Sequence, residues 1–154
     1  MLHLAPRIRS LRFLCVEEDE VQRKLLSACL DVVGAEALFA TGARDAVTLF
    51  RRYPVDLVLM DIDLHSAEEL AAFEAMRAAP HRGCGVPVLA VTNNDCGWTE
   101  ESYREVGFAG LFLKPVEPVR LFRAVDQVLR EAGQPPLLEE GASNMRAGAS
   151  FAFV

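Results

Sequence analysis

Residues 55–60 are apolar at every position except Asp56, and the run stops on Asp61. A central parallel strand, buried on both faces, has this pattern. That stretch therefore predicts a covered strand whose carboxyl end carries an acid. An ion placed there is partly desolvated unless it is paired.

The flanking sequence predicts the elements such a strand needs. Residues 13–16 form an apolar run that stops at Glu17-Glu18-Asp19-Glu20, and Val21, Leu25, Cys29 and Val32 then recur at helical spacing until Gly34. Residues 37–40 read as a second, weaker strand. A helix carrying Ala46, Val47, Leu49 and Phe50 must end before Pro54. A third helix is expected over about 67–78, with Leu70, Phe73 and Met76 on one side. A fourth strand covers 86–91 and ends on Thr92, and a helix over about 99–106 follows. A short strand at 111–113 ends on Lys114-Pro115. Pro118 opens a last helix that turns Leu121, Phe122, Val125, Val128 and Leu129 inward. Five strands, each followed by a helix, predict an α/β fold with a doubly wound parallel sheet, because right-handed crossovers put helices on both faces.

Residues 1–10 read as a short solvated arm with Arg7 and Arg9, and 11–133 as the folded domain. Pro135-Pro136 followed by Gly, Ala and Ser predicts a mostly disordered tail over 134–154. The 154 residues suffice for one domain with a real core, and 51% hydrophobic with 25% charged residues is a globular balance. A net charge of −6 gives no bulk attraction to nucleic acid. No apolar run reaches the roughly 18 residues of a membrane span. The four cysteines form no CxxC pair, which suits a reducing cytoplasm. Cys15 and Cys29 fall at apolar positions of a strand and a helix, while His81, Cys84 and Cys96 are at most a loose trio of zinc-ligand types.

In an open parallel sheet the carboxyl ends of the strands line the functional crevice. Here those ends carry Glu17, Glu18, Asp61, Thr92 and Lys114. Clustered carboxylates repel one another, so they take up protons or hold a cation, and oxygen ligands favour Mg²⁺. Asp61 could attack phosphorus to give an acyl phosphate, with Lys114 and Thr92 stabilising the transferring oxygens. Taken singly, the acidic run also reads as an ordinary helix start, Thr92 as a strand-end residue and Lys114 as a surface lysine.

The stretches Val16-Glu17-Glu18-Asp19-Glu20-Val21, Asp56-Leu57-Val58-Leu59-Met60-Asp61, Val88-Leu89-Ala90-Val91-Thr92 and Lys114-Pro115 resemble, in order, the signature blocks of response-regulator receiver domains. The resemblance covers about residues 11–133. It implies a flavodoxin-like (βα)5 fold with strand order 2-1-3-4-5, of the stand-alone, CheY-like type. It implies that Asp61 takes a phosphoryl group from a histidine kinase or histidine phosphotransfer protein. Signalling would then run through contact with a downstream protein, with no nucleic acid or membrane as partner, rather than through enzymatic turnover. By position, Glu17 and Glu18 match the acidic metal pair, and Asp63 matches the residue whose backbone carbonyl reaches Mg²⁺. Thr92 and Lys114 match the switch hydroxyl and the phosphate-binding lysine.

Several positions depart from the family pattern. Glu18 stands where Asp is usual, His65 and Glu69 where Pro and Gly are usual, and Leu111 where Tyr or Phe is usual. Glu18, Glu69 and Leu111 favour a second reading, a degenerate receiver that binds partners without being phosphorylated. A third, a small Mg²⁺-dependent phosphohydrolase, rests on Asp61-Ile62-Asp63, which resembles the aspartate pair of haloacid-dehalogenase-type phosphatases. That pair normally ends the first strand, and the family adds a cap for which this chain is too short.

Overall fold

The computed structural model describes residues 2–7, 9–63, 65–80, 85–93 and 97–139. The loop trio His81, Cys84 and Cys96 and residues 140–154 lie outside them. Five strands alternate with five helices: β1 Arg12–Val16, α1 Glu20–Val32, β2 Glu36–Ala40, α2 Ala43–Arg52, β3 Leu57–Asp61, α3 Ala67–Arg77, β4 Val88–Thr92, α4 Glu100–Val106, β5 Gly110–Leu113 and α5 Pro118–Glu131. The sheet is parallel throughout, in the order β2-β1-β3-β4-β5. This is the doubly wound parallel sheet that the residue pattern predicts, in the flavodoxin-like strand order that the family resemblance implies.

Strand alternation builds the two halves of the core. Phe13, Cys15, Leu57, Leu59, Leu89, Val91 and Phe112 face α1 and α5. Leu14, Val16, Val58, Met60, Val88 and Ala90 face α2, α3 and α4. Successive side chains of a strand point to opposite faces, so only a continuous apolar run can fill both layers. Side-chain caps then fix where helices begin: Asp19 accepts the Gln22 N–H, Ser66 that of Glu69, Thr99 that of Ser102, and Glu117 those of Val119 and Arg120.

The structure corrects the face assigned to the first helix. Leu26, Cys29 and Leu30 are its buried residues, whereas Val21 is 71% and Val32 52% exposed. Apolar residues at 25, 26, 29, 30 and 32 make two overlapping helical stripes, and the sheet selects the one led by Leu26. The Cys15 thiol is pushed up to about 12, first by burial and then by the charge of Glu17. Such a cysteine is an inert core residue.

The packed body also extends past both predicted edges. Leu4 and Leu138 form an antiparallel bridge, flanked by Ala5 N–H to Leu137 C=O and Glu139 N–H to His3 C=O, each at 2.9 Å. Leu137 and Leu138 are buried. Asp126, itself buried on α5, accepts the Leu138 N–H at 2.9 Å and pairs with Arg130, which donates onward to the Leu138 carbonyl. Residues 2–7 and 134–139 therefore belong to the fold rather than to a solvated arm and a tail. Two adjacent leucines and one inward acid outweigh the local Pro and Gly content.

Asp56, the polar exception in the apolar run, lies just before β3. It accepts two hydrogen bonds from Arg9, at 2.9 and 2.6 Å, and one from the Arg12 N–H at 2.8 Å. Burial raises its carboxyl, but these bonds prevail and hold it below its ordinary 3.8. A depressed carboxylate contributes stability that is complete above its unfolded value and is lost as pH falls through the folded one. Asp56→Ala should therefore cost about 1–3 kcal/mol near neutrality, with the Arg12 N–H left without this partner. The gap from the parent should close as pH falls below that ordinary value. Urea unfolding across pH checks both points, and a gap that widens in acid would refute the pairing.

Candidate functional site

Strand register brings the predicted residues to one rim. Val16 lies opposite Met60, Asp61 opposite Val91, and Thr92 opposite Leu113, so each strand delivers its next polar residue to the same edge. Lys114 lies at the centre. Its ammonium donates to Glu17 Oε2 at 2.9 Å and to Asp61 Oδ2 at 3.0 Å. The Lys114 N–H donates to the Thr92 carbonyl at 2.8 Å, which anchors the lysine to the end of β4. The Lys114–Pro115 peptide bond is cis.

Glu17 is 3% exposed, and its second oxygen accepts the Asp19 N–H at 3.1 Å. Burial is the largest influence on its carboxyl and raises it. Lys114 and the Asp19 N–H pull the other way, and the charge of Asp61 adds to the rise. Lys114 is shifted up as well: burial alone would lower it, but bonds to two carboxylates overcome that. The two directions agree physically, because one cation faces two anions. The ammonium gains from both, whereas Glu17 is desolvated and repelled by its neighbour.

Glu18 and Asp63 lie on the exposed rim. The Glu18 carbonyl accepts from Arg23 at 2.6 Å, and its carboxylate reaches towards the Gly42 turn, 3.9 Å from where a β-carbon there would stand. The Asp63 carbonyl accepts the Ser66 N–H at 2.9 Å, and its carboxylate accepts the His65 N–H at 2.9 Å. Thr92 is buried at the end of β4. Leu111 is half-buried against the core layer that contains Phe73, Tyr103 and Phe108. His65 and Trp98, from loops on either side of the rim, meet edge to face at 5.9 Å between ring centres.

One residue of the site was noted in the sequence only as a departure from the family pattern. Glu69 accepts the Asp63 N–H at 2.7 Å. Burial raises its carboxyl, the Asp63 N–H lowers it, and the charges of Asp61, Asp63 and Glu18 raise it further. The spacing Ser66-x-x-Glu69, a capping-box pattern, was the available signal.

The donor chemistry suits a hard dication. Every donor is oxygen, and the mutual repulsion felt at Glu17 and Glu69 is what a bound cation would relieve. Among the described residues no three Asp, Glu, His or Cys side chains converge closely enough to hold an ion by themselves. Water and a backbone carbonyl would complete the shell, a habit of Mg²⁺ rather than of zinc.

Residues 13–126 match the response regulator receiver domain family. The chain belongs to it. This receiver domain is 29% identical over 119 residues to the sensor protein GacS of Pseudomonas syringae pv. syringae, covering 76% of the chain but 13% of GacS. It is 27% identical over 117 residues to the polar-differentiation response regulator DivK of Brucella ovis, covering 76% of the chain and 94% of DivK. Among solved structures it is similar to the receiver domain of sensor histidine kinase PA1611 from Pseudomonas aeruginosa PAO1, with a TM-score of 0.68 and 25% identity. That likeness covers 82% of this chain and all of the other, which carries a magnesium ion coordinated in its active-site cleft. Family membership supports a receiver module of two-component phosphorelay signalling. Among the described residues no helix is long and apolar enough to cross a membrane.

Proposed function

We propose that this receiver domain accepts a phosphoryl group on Asp61 from a histidine kinase or a histidine phosphotransfer protein. It then signals, in the cytoplasm, through contact with another protein. The observation that carries this reading is the Lys114 ammonium bridging Asp61 and buried Glu17 at 3.0 and 2.9 Å. An Asp61 oxygen attacks phosphorus as the bond to the phosphohistidine nitrogen breaks, and the imidazole leaves with that electron pair. Lys114 neutralises charge on a transferring oxygen, and the Thr92 hydroxyl donates to another. Glu17, Glu18, Asp61 and the Asp63 carbonyl are the groups that would hold Mg²⁺. Once bound, Mg²⁺ supplies charge neutralisation at the phosphoryl oxygens.

Intact mass after incubation with acetyl phosphate and Mg²⁺ tests the proposal. The parent should gain one phosphoryl group, and Asp61→Asn should gain none, because an amide is a poor nucleophile. Labelling that persists in Asp61→Asn would move the acceptor elsewhere. The degenerate-receiver reading is supported by Leu111, an aliphatic side chain packed against the core at the position where the family usually has its switch ring. It predicts no uptake by either protein.

A further inference from the structure

The Ser66-x-x-Glu69 spacing would ordinarily send the Glu69 carboxylate back to the Ser66 N–H in a reciprocal capping box. Here the Ser66 Oγ does cap the Glu69 N–H, but the Ser66 N–H is already committed to the Asp63 carbonyl at 2.9 Å. Glu69 reaches a turn further and accepts the Asp63 N–H at 2.7 Å instead. Its carboxylate thus lies within the influence of Asp61, Asp63 and Glu18, in a half-buried position that none of those charges favours. A glutamate in the first turn of a helix could turn to water, and the hydrogen bond to Asp63 is what opposes that escape.

We infer that Glu69 is a positioning residue for phosphoryl transfer: it clamps the segment that follows Asp61 to the first turn of α3 through the Asp63 N–H. The inference rests on Asp61 being the acceptor. The clamped peptide is two residues beyond the nucleophile, and the adjacent Asp63 carbonyl is the group assigned above to the cation. With both the N–H and the C=O of Asp63 tied to α3, the acceptor segment has little freedom left to lose when donor and cation arrive, and orientation paid in advance raises the transfer rate. A glycine at position 69, usual in the family, has no side chain to make this tie.

The full chain and two variants test it. Glu69→Ala keeps a good helix former but removes the acceptor, whereas Glu69→Gln keeps an oxygen that can accept the same N–H and drops only the charge. Two readings are taken, backbone amide exchange without a phosphoryl donor and the rate of uptake from acetyl phosphate with Mg²⁺. In Glu69→Ala the Asp63 amide should exchange about fivefold to tenfold faster. Phosphoryl uptake should slow by about tenfold. Glu69→Gln should stay within about threefold of the parent on both readings. Unchanged Asp63 exchange in Glu69→Ala overturns the clamp, and so does a Glu69→Gln that behaves like Glu69→Ala. Altered exchange with unaltered uptake overturns its role in transfer. A parent that takes up no phosphoryl group at all defeats the proposed function and that role with it. The exchange contrast would then still report whether the loop is tied.

Discussion

Lys114→Met should slow phosphoryl uptake by about a hundredfold or more and, independently, destabilise the fold by about 3 kcal/mol near neutral pH. The first effect follows from losing a fixed cation aimed at the oxygens that gain charge. The second follows from Glu17, which is 3% exposed and, among the described residues, would keep only the Asp19 N–H as its hydrogen-bonded partner. Breaking a buried pair usually costs about 3–5 kcal/mol, and the lower figure applies because Asp61 is 37% exposed and water can screen it.

The pH dependence gives the sign. In the parent, Lys114 is raised above its ordinary 10.5, so its contribution is complete below that value and is lost as pH rises through the folded one. In the variant, Glu17, already raised, can be neutralised only by a proton. Its contribution is complete below the ordinary carboxylate value and is lost as pH rises through the folded one. The stability gap between parent and Lys114→Met should therefore shrink as pH falls. Urea unfolding at several pH values measures this, and a constant gap would mean that Glu17 does not depend on Lys114.

Ending the chain at Gly133 should lower stability by about 3–6 kcal/mol, the transfer free energy of two fully buried leucine side chains. Leu137 and Leu138 supply that area, and their removal would strip Asp126 of the Leu138 N–H and leave it the Arg130 pair. The N-terminal segment would lose its bridge partner at the same time. Asp126→Ala in the 154-residue chain should reproduce part of the loss without removing any leucine. Denaturant midpoints compare the three proteins, and a chain ending at Gly133 that unfolds like the parent would make the 134–139 contacts dispensable.

The five strands, their alternation and the acids, threonine and lysine at their carboxyl ends were all legible in the residues. A strand's period is two and its burial is written along it, so 55–61 and 86–92 announce both their burial and the edge at which their polar residues emerge. Family order then gave those residues their expected roles. Tertiary structure decided whatever depends on which of two permitted neighbours is met. Helical periodicity sets the angle between Leu26, Cys29 and Leu30, but not that this stripe, rather than the one led by Val21, faces the sheet. Asp56 finds Arg9, and Leu138 finds Leu4 and Asp126, across sequence separations that no local pattern encodes. Glu69 follows the same logic at short range. Its sequence offers two N–H groups within reach, and the turn that commits Ser66 to Asp63 leaves only one of them to take.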